Sequence, residues 1–441
     1  MYMMDLDYTL MELTASFILL AFAMTGGESS ALAAGKTWGT KGYDNIESRP
    51  WDPKSPVPEI FFKAGKQCNP HPYKLTINQP NVCITEKSVF LLVLVRSKIS
   101  HIDRRATLRK TWLSPGLLNR HFPEHNVVPL FLVGSPGNNT TAQSALEKEG
   151  TLHKDVIQED FIDSYRNLTL KTTMAFKWAR LYCPHAQYVM VGSDEVVVDV
   201  FKLIPFLNAQ QFNKDVLNQF SLCYLYPCCT RVWRNHPKYS ITKEDYEGSA
   251  WPSYCSGTAY VAHSNVIHKL YSMSIDTPAF FPDDPWIGIL SEKIGLGFLD
   301  THESFAGISH KQSVIKSFTS NTYLTSPVMI GVTDYDFPNS VPEALRRVWN
   351  IIMDHHQNNA SKVKAFKNRY HQELNETYID PRKLRHMLEQ EIYYQMGYSS
   401  MVINLIIIAF LAFLANKLYS WHIRKSNQYL GKIVKVGTKH L

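Results

Sequence analysis

The stretch Tyr188-Val189-Met190-Val191-Gly192-Ser193-Asp194-Glu195-Val196-Val197-Val198-Asp199-Val200 sets one acidic break between two apolar runs. Tyr188 to Val191 is apolar without alternation, the pattern of a strand buried on both faces. Carboxylates at the end of such a strand are costly to bury unless something pairs with them. The carboxyl ends of strands in an open α/β sheet are also where ligands sit. The chemistry that fits is a divalent metal held by Asp194 and Glu195 and, through it, the diphosphate of a sugar nucleotide. A solvated turn between two strands is the plainer reading of the same residues.

Upstream, Val89 to Val95 is a second buried strand and Val127 to Val133 a third, closed by Gly134-Ser135-Pro136-Gly137. Between them His101 to Trp112 is basic, and Leu108 and Trp112 fall on one helical face. Arg104, Arg105 and Arg109 can line the opening of this strand–helix unit, where guanidinium forks suit phosphates. A solvated basic face is the alternative. Thr141 to Gly150 reads as a helix. Another runs to about Tyr182, with Leu170, Met174, Ala175, Phe176 and Trp178 as its apolar positions, until Cys183-Pro184 stops it. Strand, helix, strand, helix, strand predicts an α/β domain with a mostly parallel sheet.

Downstream, Phe220 to Tyr226 and Thr258 to Ala262 read as strands around a loop-rich aromatic segment. Asp283 and Asp284 then stand between aromatics at the start of a helix reaching Ile294. Paired carboxylates there either complement the helix dipole or supply a general base for an acceptor hydroxyl. Val341-Pro342-Glu343 opens an amphipathic helix to about Met353.

The chain has 441 residues, 45% of them hydrophobic and 19% charged, enough for a sizeable core. Its formal charge of +7 collects toward the C-terminal end, which argues against nucleic-acid binding. All seven cysteines lie between Cys68 and Cys255, and glycosylation sequons begin at Asn138, Asn139, Asn167, Asn359 and Asn375. Asn139, Asn167 and Asn375 are the expected glycan carriers. Cysteines and sequons together suggest an oxidising lumenal compartment, and an odd cysteine count leaves at least one thiol unpaired within the chain.

Residues 1–34 read as a cleaved signal or an N-terminal anchor. The apolar run Leu13 to Met24 is short, and the residues before it are acidic. Residues 35–82, rich in Pro, Gly and polar residues, read as a stem without its own core, and 83–355 as the catalytic domain. A charged helical linker follows at 356–398, then a transmembrane helix at 399–421 built on Met401 to Ala415. The basic tail 422–441 puts the C-terminus in the cytosol and the domain in the lumen, with the Golgi membrane as the expected location. A buried helix of a soluble core is the alternative for the apolar run.

Taken together these stretches resemble the β-1,3-glycosyltransferases, the family of β-1,3-galactosyl- and N-acetylglucosaminyltransferases, from about Cys83 to Met353. Arg104 to Trp112 is similar to the family's RRxxIRxTW, and Asp160 to Thr172 to its DFxDxYxNLTLKT. Trp251 to Tyr260 resembles YPPYCSGxGY, and Asp283 to Gly288 falls where the family has EDVxxG or DDVxxG. The resemblance implies a GT-A fold, a Rossmann-like α/β domain that binds a UDP-sugar through Mn²⁺ or Mg²⁺. It implies transfer with inversion to an acceptor glycan on a glycoprotein or glycolipid, with Asp284 as catalytic base. Galactose is expected over N-acetylglucosamine. Ser193, Asp194, Arg105, Arg109 and Trp112 are the expected donor-binding residues, and Asp194 and Glu195 the metal ligands.

Three departures stand out. Ser193-Asp194-Glu195 replaces the family's DDD, so one carboxylate has become a hydroxyl. Phe337-Pro338-Asn339 stands where family members often carry a His. Pro285 replaces a Val and removes a backbone donor beside Asp284. These losses support a reading of another class: an inactive relative that binds glycans or chaperones an active transferase.

Overall fold

The run Val89–Arg96 is buried at every position, and its alternation sorts the core into two layers. Leu92 and Leu94 join the cluster on one face of the sheet, while Leu91, Val93 and Val95 join the cluster on the other. A computed structural model of the chain describes residues 48–63, 67–84, 88–210, 218–308, 313–333, 340–358 and 361–362. Its strands are β1 (Leu75–Ile77), β2 (Val89–Arg96), β3 (Asn126–Ser135), β4 (Val156–Ile162), β5 (Tyr188–Ser193), β6 (Val196–Val198), β7 (Gln219–Tyr226), β8 (Tyr254–His263), β9 (Gly297–Phe298), β10 (Phe305–Ala306) and β11 (Ile330–Val332). Eight of them form one mixed sheet in the order β1-β4-β3-β2-β5-β8-β7-β9, and β10-β11-β6 form a small second sheet.

The expected parallel pairing holds from β4 through β3 and β2 to β5. It fails beyond β5, where β8 enters antiparallel to both β5 and β7. The reason is the connection. A parallel neighbour needs a crossover, usually a helix, whereas β7 and β8 are joined by the loop-rich segment, with which antiparallel pairing is compatible. Helices Leu168–Tyr182, Ser264–Ile275 and Asp283–Ile294 contribute to the first core layer. Helices Ile102–Lys110, Val200–Gln210, Val314–Phe318 and Val341–His356 contribute to the second.

The described part of 35–82 is not a stem apart from the domain. Val57 and Phe61 are buried in the first core layer, and β1 adds an edge strand against β4. Composition misleads here because two apolar anchors among prolines are enough to bind a coil to a core. Disulfides link Cys83 to Cys183, Cys223 to Cys255 and Cys228 to Cys229, leaving Cys68 as the free thiol. Among the described residues no helix is long and apolar enough to cross a membrane. The expected signal or anchor at 1–34 and span at 399–421 lie outside them, as does Asn375.

Candidate active site

Three chain segments meet at one edge of the large sheet. Ser193, the last residue of β5, pairs with Arg96, the last residue of β2. On the other side Gly192 pairs with Ala259 of β8, two residues beyond Gly257. The Arg96 guanidinium then crosses to Asp283 and to the Gly257 carbonyl oxygen. The acidic turn and the Asp283–Asp284 pair, distant in sequence, are therefore brought to the same end of the sheet.

The two acids at the helix start differ. Asp283 is buried, ion-paired to Arg96, and accepts from the Thr172 hydroxyl at 2.6 Å. Asp284 is half-buried and packs beside Gly257. Burial pushes the Asp284 carboxyl up, to about 7, and the neighbouring charge of Asp283 pushes the same way. Backbone donors at Asp284 and Gly257 and the Arg96 charge pull against it without prevailing. A carboxylate poised there is matched to taking a proton near neutral pH.

Pro285 costs this helix nothing. The helix begins at Asp283, so position 285 is in its first turn, where backbone N–H groups have no helical partner. Gly288 is needed one turn on. A Cβ there would come within 2.7 Å of the Ser253 oxygen and 2.8 Å of Tyr254 Cβ, so only glycine lets the helix lie directly on that segment.

The acidic turn has the same division of labour. Asp194 is buried. Its Oδ2 accepts from the Ser97 hydroxyl at 2.6 Å and meets His101 Nδ1 at 2.9 Å, while its Oδ1 accepts from Arg104 at 3.0 Å. Burial works against its charge, but His101, Ser97 and Arg104 outweigh it and hold the carboxyl below its usual value. Glu195 is half-buried, accepts from the Ser193 hydroxyl at 3.2 Å, and lies 3.5 Å from the same Arg104 nitrogen.

This donor set does not fit a preformed Mn²⁺ or Mg²⁺ site. Such hard cations gather about six oxygens, several of them anionic. Here Asp194 has both oxygens engaged, Ser193 is neutral, and Glu195 faces a guanidinium. Among the described residues no three His, Cys, Asp or Glu side chains come together as a metal cluster. His302 is exposed beside Asp300 at 3.2 Å, and His310, like Phe337 to Asn339, lies outside the described residues.

The basic helix also sorts differently from expectation. Arg105 is fully buried and forks onto Glu149 at 2.8 and 2.6 Å. Arg109 forks onto Asp155 at 2.8 Å through both nitrogens and also reaches Glu149. Burial disfavours the Glu149 charge, yet the two arginines hold its carboxyl below its usual value. Trp112 is buried, with its indole donating to the Val196 carbonyl at 3.0 Å. Each of these three residues is engaged by a partner on another element. Arg104, on the same helix, is the arginine that reaches the turn.

Sequence reasoning missed the supporting residues Arg96, Ser97, His101, Lys171 and Thr172. Lys171 is buried and donates to the Ser97 carbonyl at 2.6 Å and to Asp163 at 2.7 Å. It ties the DFIDSYRNLTLKT segment to the end of β2. A signal was present in that long polar motif, which opens a helix with more polar residues than capping requires.

Phe281, three residues before Asp284, joins Arg166, Arg234, Ser240, Thr242 and Asp245, among others, in lining a cavity of about 410 Å³. The Arg166 guanidinium sits over the Phe281 ring, 4.8 Å from its centroid. Tyr165 packs on the same ring. Of the expected glycan carriers, Asn139 is exposed and caps the helix Thr140–His153, while the Asn167 amide donates to the Ile162 carbonyl at 2.8 Å.

A family model described as Galactosyltransferase matches residues 103–302. Beta-1,3-galactosyltransferase 1 from Mus musculus is 32% identical over 229 residues, which cover 52% of this chain and 67% of that protein. This chain belongs to the β-1,3-glycosyltransferase family. Lactosylceramide 1,3-N-acetyl-beta-D-glucosaminyltransferase from Homo sapiens is also 32% identical, over 53% of this chain and 62% of its own length. A solved galactosyltransferase in complex with donor and acceptor sugar analogs is similar at 11% identity, covering 59% of this chain and 95% of that one, with a TM-score of 0.31. Within the family's matched span lie both acidic pairs and Arg104, while Arg96 precedes it.

Proposed function

We propose that this β-1,3-glycosyltransferase family member moves a hexose from a UDP-sugar to a hydroxyl of an acceptor glycan, in β-1,3 linkage and with inversion. The domain is read as a GT-A arrangement, and galactose as the donor sugar ahead of N-acetylglucosamine. The observation that carries the reading is Asp284: a half-buried carboxyl, raised toward neutral pH, at the same end of the sheet as the acidic turn. In the transfer the acceptor oxygen forms a bond to the anomeric carbon while the bond from that carbon to UDP breaks. Asp284 takes the hydroxyl proton. Arg96 and Thr172 hold Asp283 in place and so set where Asp284 points. Phe281 and Tyr165 offer aromatic faces, and Arg166 a polar edge, for an acceptor sugar in the adjoining cavity.

The test is sugar transfer by the purified chain, with UDP-galactose and UDP-N-acetylglucosamine compared on a panel of glycan acceptors. Turnover with either donor, lost in Asp284→Asn, supports the reading. Glycan binding without turnover for any donor would favour the second reading, a lumenal chaperone or glycan-binding relative, which the loss of a carboxylate at Ser193 motivates. Residence in the Golgi membrane with the domain lumenal is part of the proposal. Protease outside sealed vesicles should leave the Cys68 to Cys255 region intact.

A further inference from the structure

A metal-bridged donor site needs acids that are available and a surrounding charge that attracts a dication. The turn offers neither. Asp194 is enclosed by Ser97, His101 and Arg104. Position 193 carries a hydroxyl. What the turn does present is a cation: Arg104 keeps about a fifth of its side chain exposed, and its single nitrogen NH1 serves both acids. Its other guanidinium nitrogens have no partner among the described residues.

The two contacts of Arg104 are unequal. The one to Asp194 is a normal charge-assisted bond at 3.0 Å, while the one to Glu195 is stretched to 3.5 Å, beyond a good hydrogen bond. An incoming phosphate oxygen would therefore displace Glu195 and leave Asp194 in place. Asp194 then acts as the fixed post that holds the guanidinium at the strand end. The remaining N–H donors of the fork match two phosphate oxygens, a geometry a lysine could not reproduce.

Resting on the transferase reading, we propose that Arg104, and not a divalent cation, is the positive charge this chain presents to the diphosphate of its donor, so that nucleotide binding is metal-independent. Glu195 is then a competitor for Arg104 rather than a metal ligand. The two roles predict opposite signs for the same substitution, which makes them separable.

The experiment is calorimetric titration of UDP into the purified full chain, once with EDTA and once with excess Mn²⁺, for wild type, Arg104→Gln, Arg104→Lys and Glu195→Gln. Thermal midpoints report whether each variant is folded. The expected result is UDP affinity in EDTA within about threefold of that in Mn²⁺, since no bond to a metal is being lost. Arg104→Gln should weaken it by about tenfold to a hundredfold, the size of one or two charge-assisted bonds, with Arg104→Lys in between. Glu195→Gln should leave the affinity unchanged or tighten it. Should Arg104→Gln fail to fold, the sign of the Glu195→Gln effect decides alone. UDP binding that appears only with Mn²⁺ and is lost in Glu195→Gln would overturn the inference while leaving the transferase reading standing. No UDP binding under either condition, together with no turnover, would overturn both.

Discussion

The molecule carries two acidic pairs built on one plan and charged in opposite senses. In each, one acid is buried and tied down: Asp283 by Arg96 and Thr172, Asp194 by Ser97, His101 and Arg104. In each, the next residue is only half-buried. The difference is the cation. Arg96 is directed at Asp283 and the Gly257 carbonyl, so Asp284 feels mainly burial and a like charge and is driven toward its neutral form. Arg104 is shared between Asp194 and Glu195, so Glu195 sits beside a positive charge instead. The placement of one guanidinium thus separates a group suited to moving a proton from a group held beside a fixed positive charge.

The contrast is most exposed at Asp284. Asp284→Asn keeps the shape and removes the base, so turnover should fall about 10²- to 10⁴-fold while UDP binding, read by calorimetry, stays the same. Retained turnover would mean the base lies elsewhere. The same group fixes a pH signature. Because the base must be deprotonated, wild-type turnover should climb with pH and level off above about 7. Stability should move the other way: a carboxyl raised on folding favours the protonated native state. Its contribution is fully present at low pH and is lost as pH rises through about 7. Asp284→Asn should therefore melt at or above the wild-type temperature at alkaline pH, and the gap should close in acid.

Next in size is the anchor beneath Asp284. Arg96→Met leaves Asp283 buried without its ion-pair partner, and breaking such a pair costs about 3–5 kcal/mol, measurable by denaturant titration. A loss under 1 kcal/mol would show that Thr172 alone secures Asp283. Gly288→Ala should cost about 1–3 kcal/mol by forcing the helix off Ser253 and Tyr254, with turnover falling further than stability because Asp284 moves with it. The smallest expected change acts on the other pair. Ser193→Asp returns a carboxylate beside Glu195 and should raise Mn²⁺ affinity about tenfold, read by Mn²⁺ paramagnetic resonance. No gain would show that Arg104 still dominates the turn.

Much of this was legible in advance for a simple reason: apolar runs are local. Val89 to Val95 and Tyr188 to Val191 mark central strands wherever they occur, and both are central here. β4 was harder to read because Glu159 and Asp160 interrupt it. Glu159 is buried in the strand where His71 at 2.6 Å and Lys177 at 2.8 Å meet it from two other segments. The arginines failed as site residues for the same kind of reason. Arg105 and Arg109 carry the chemistry of phosphate binders, but the helix Thr140–His153 brings Glu149 against them first.

By itself, the sequence determined the buried strands, their alternation with helices through β5, the helix starting at Asp283 and the motifs that mark the family. These follow from periodicity and spacing within a few residues. Only the tertiary structure decided which acid of each pair is fully buried and which half-buried, and which arginine reaches the turn. Those choices depend on partners far along the chain, 187 residues apart for Arg96 and Asp283 and 44 for Arg105 and Glu149. A charged side chain's role is set by the nearest opposite charge in space, and that neighbour is fixed only when the sheet has assembled.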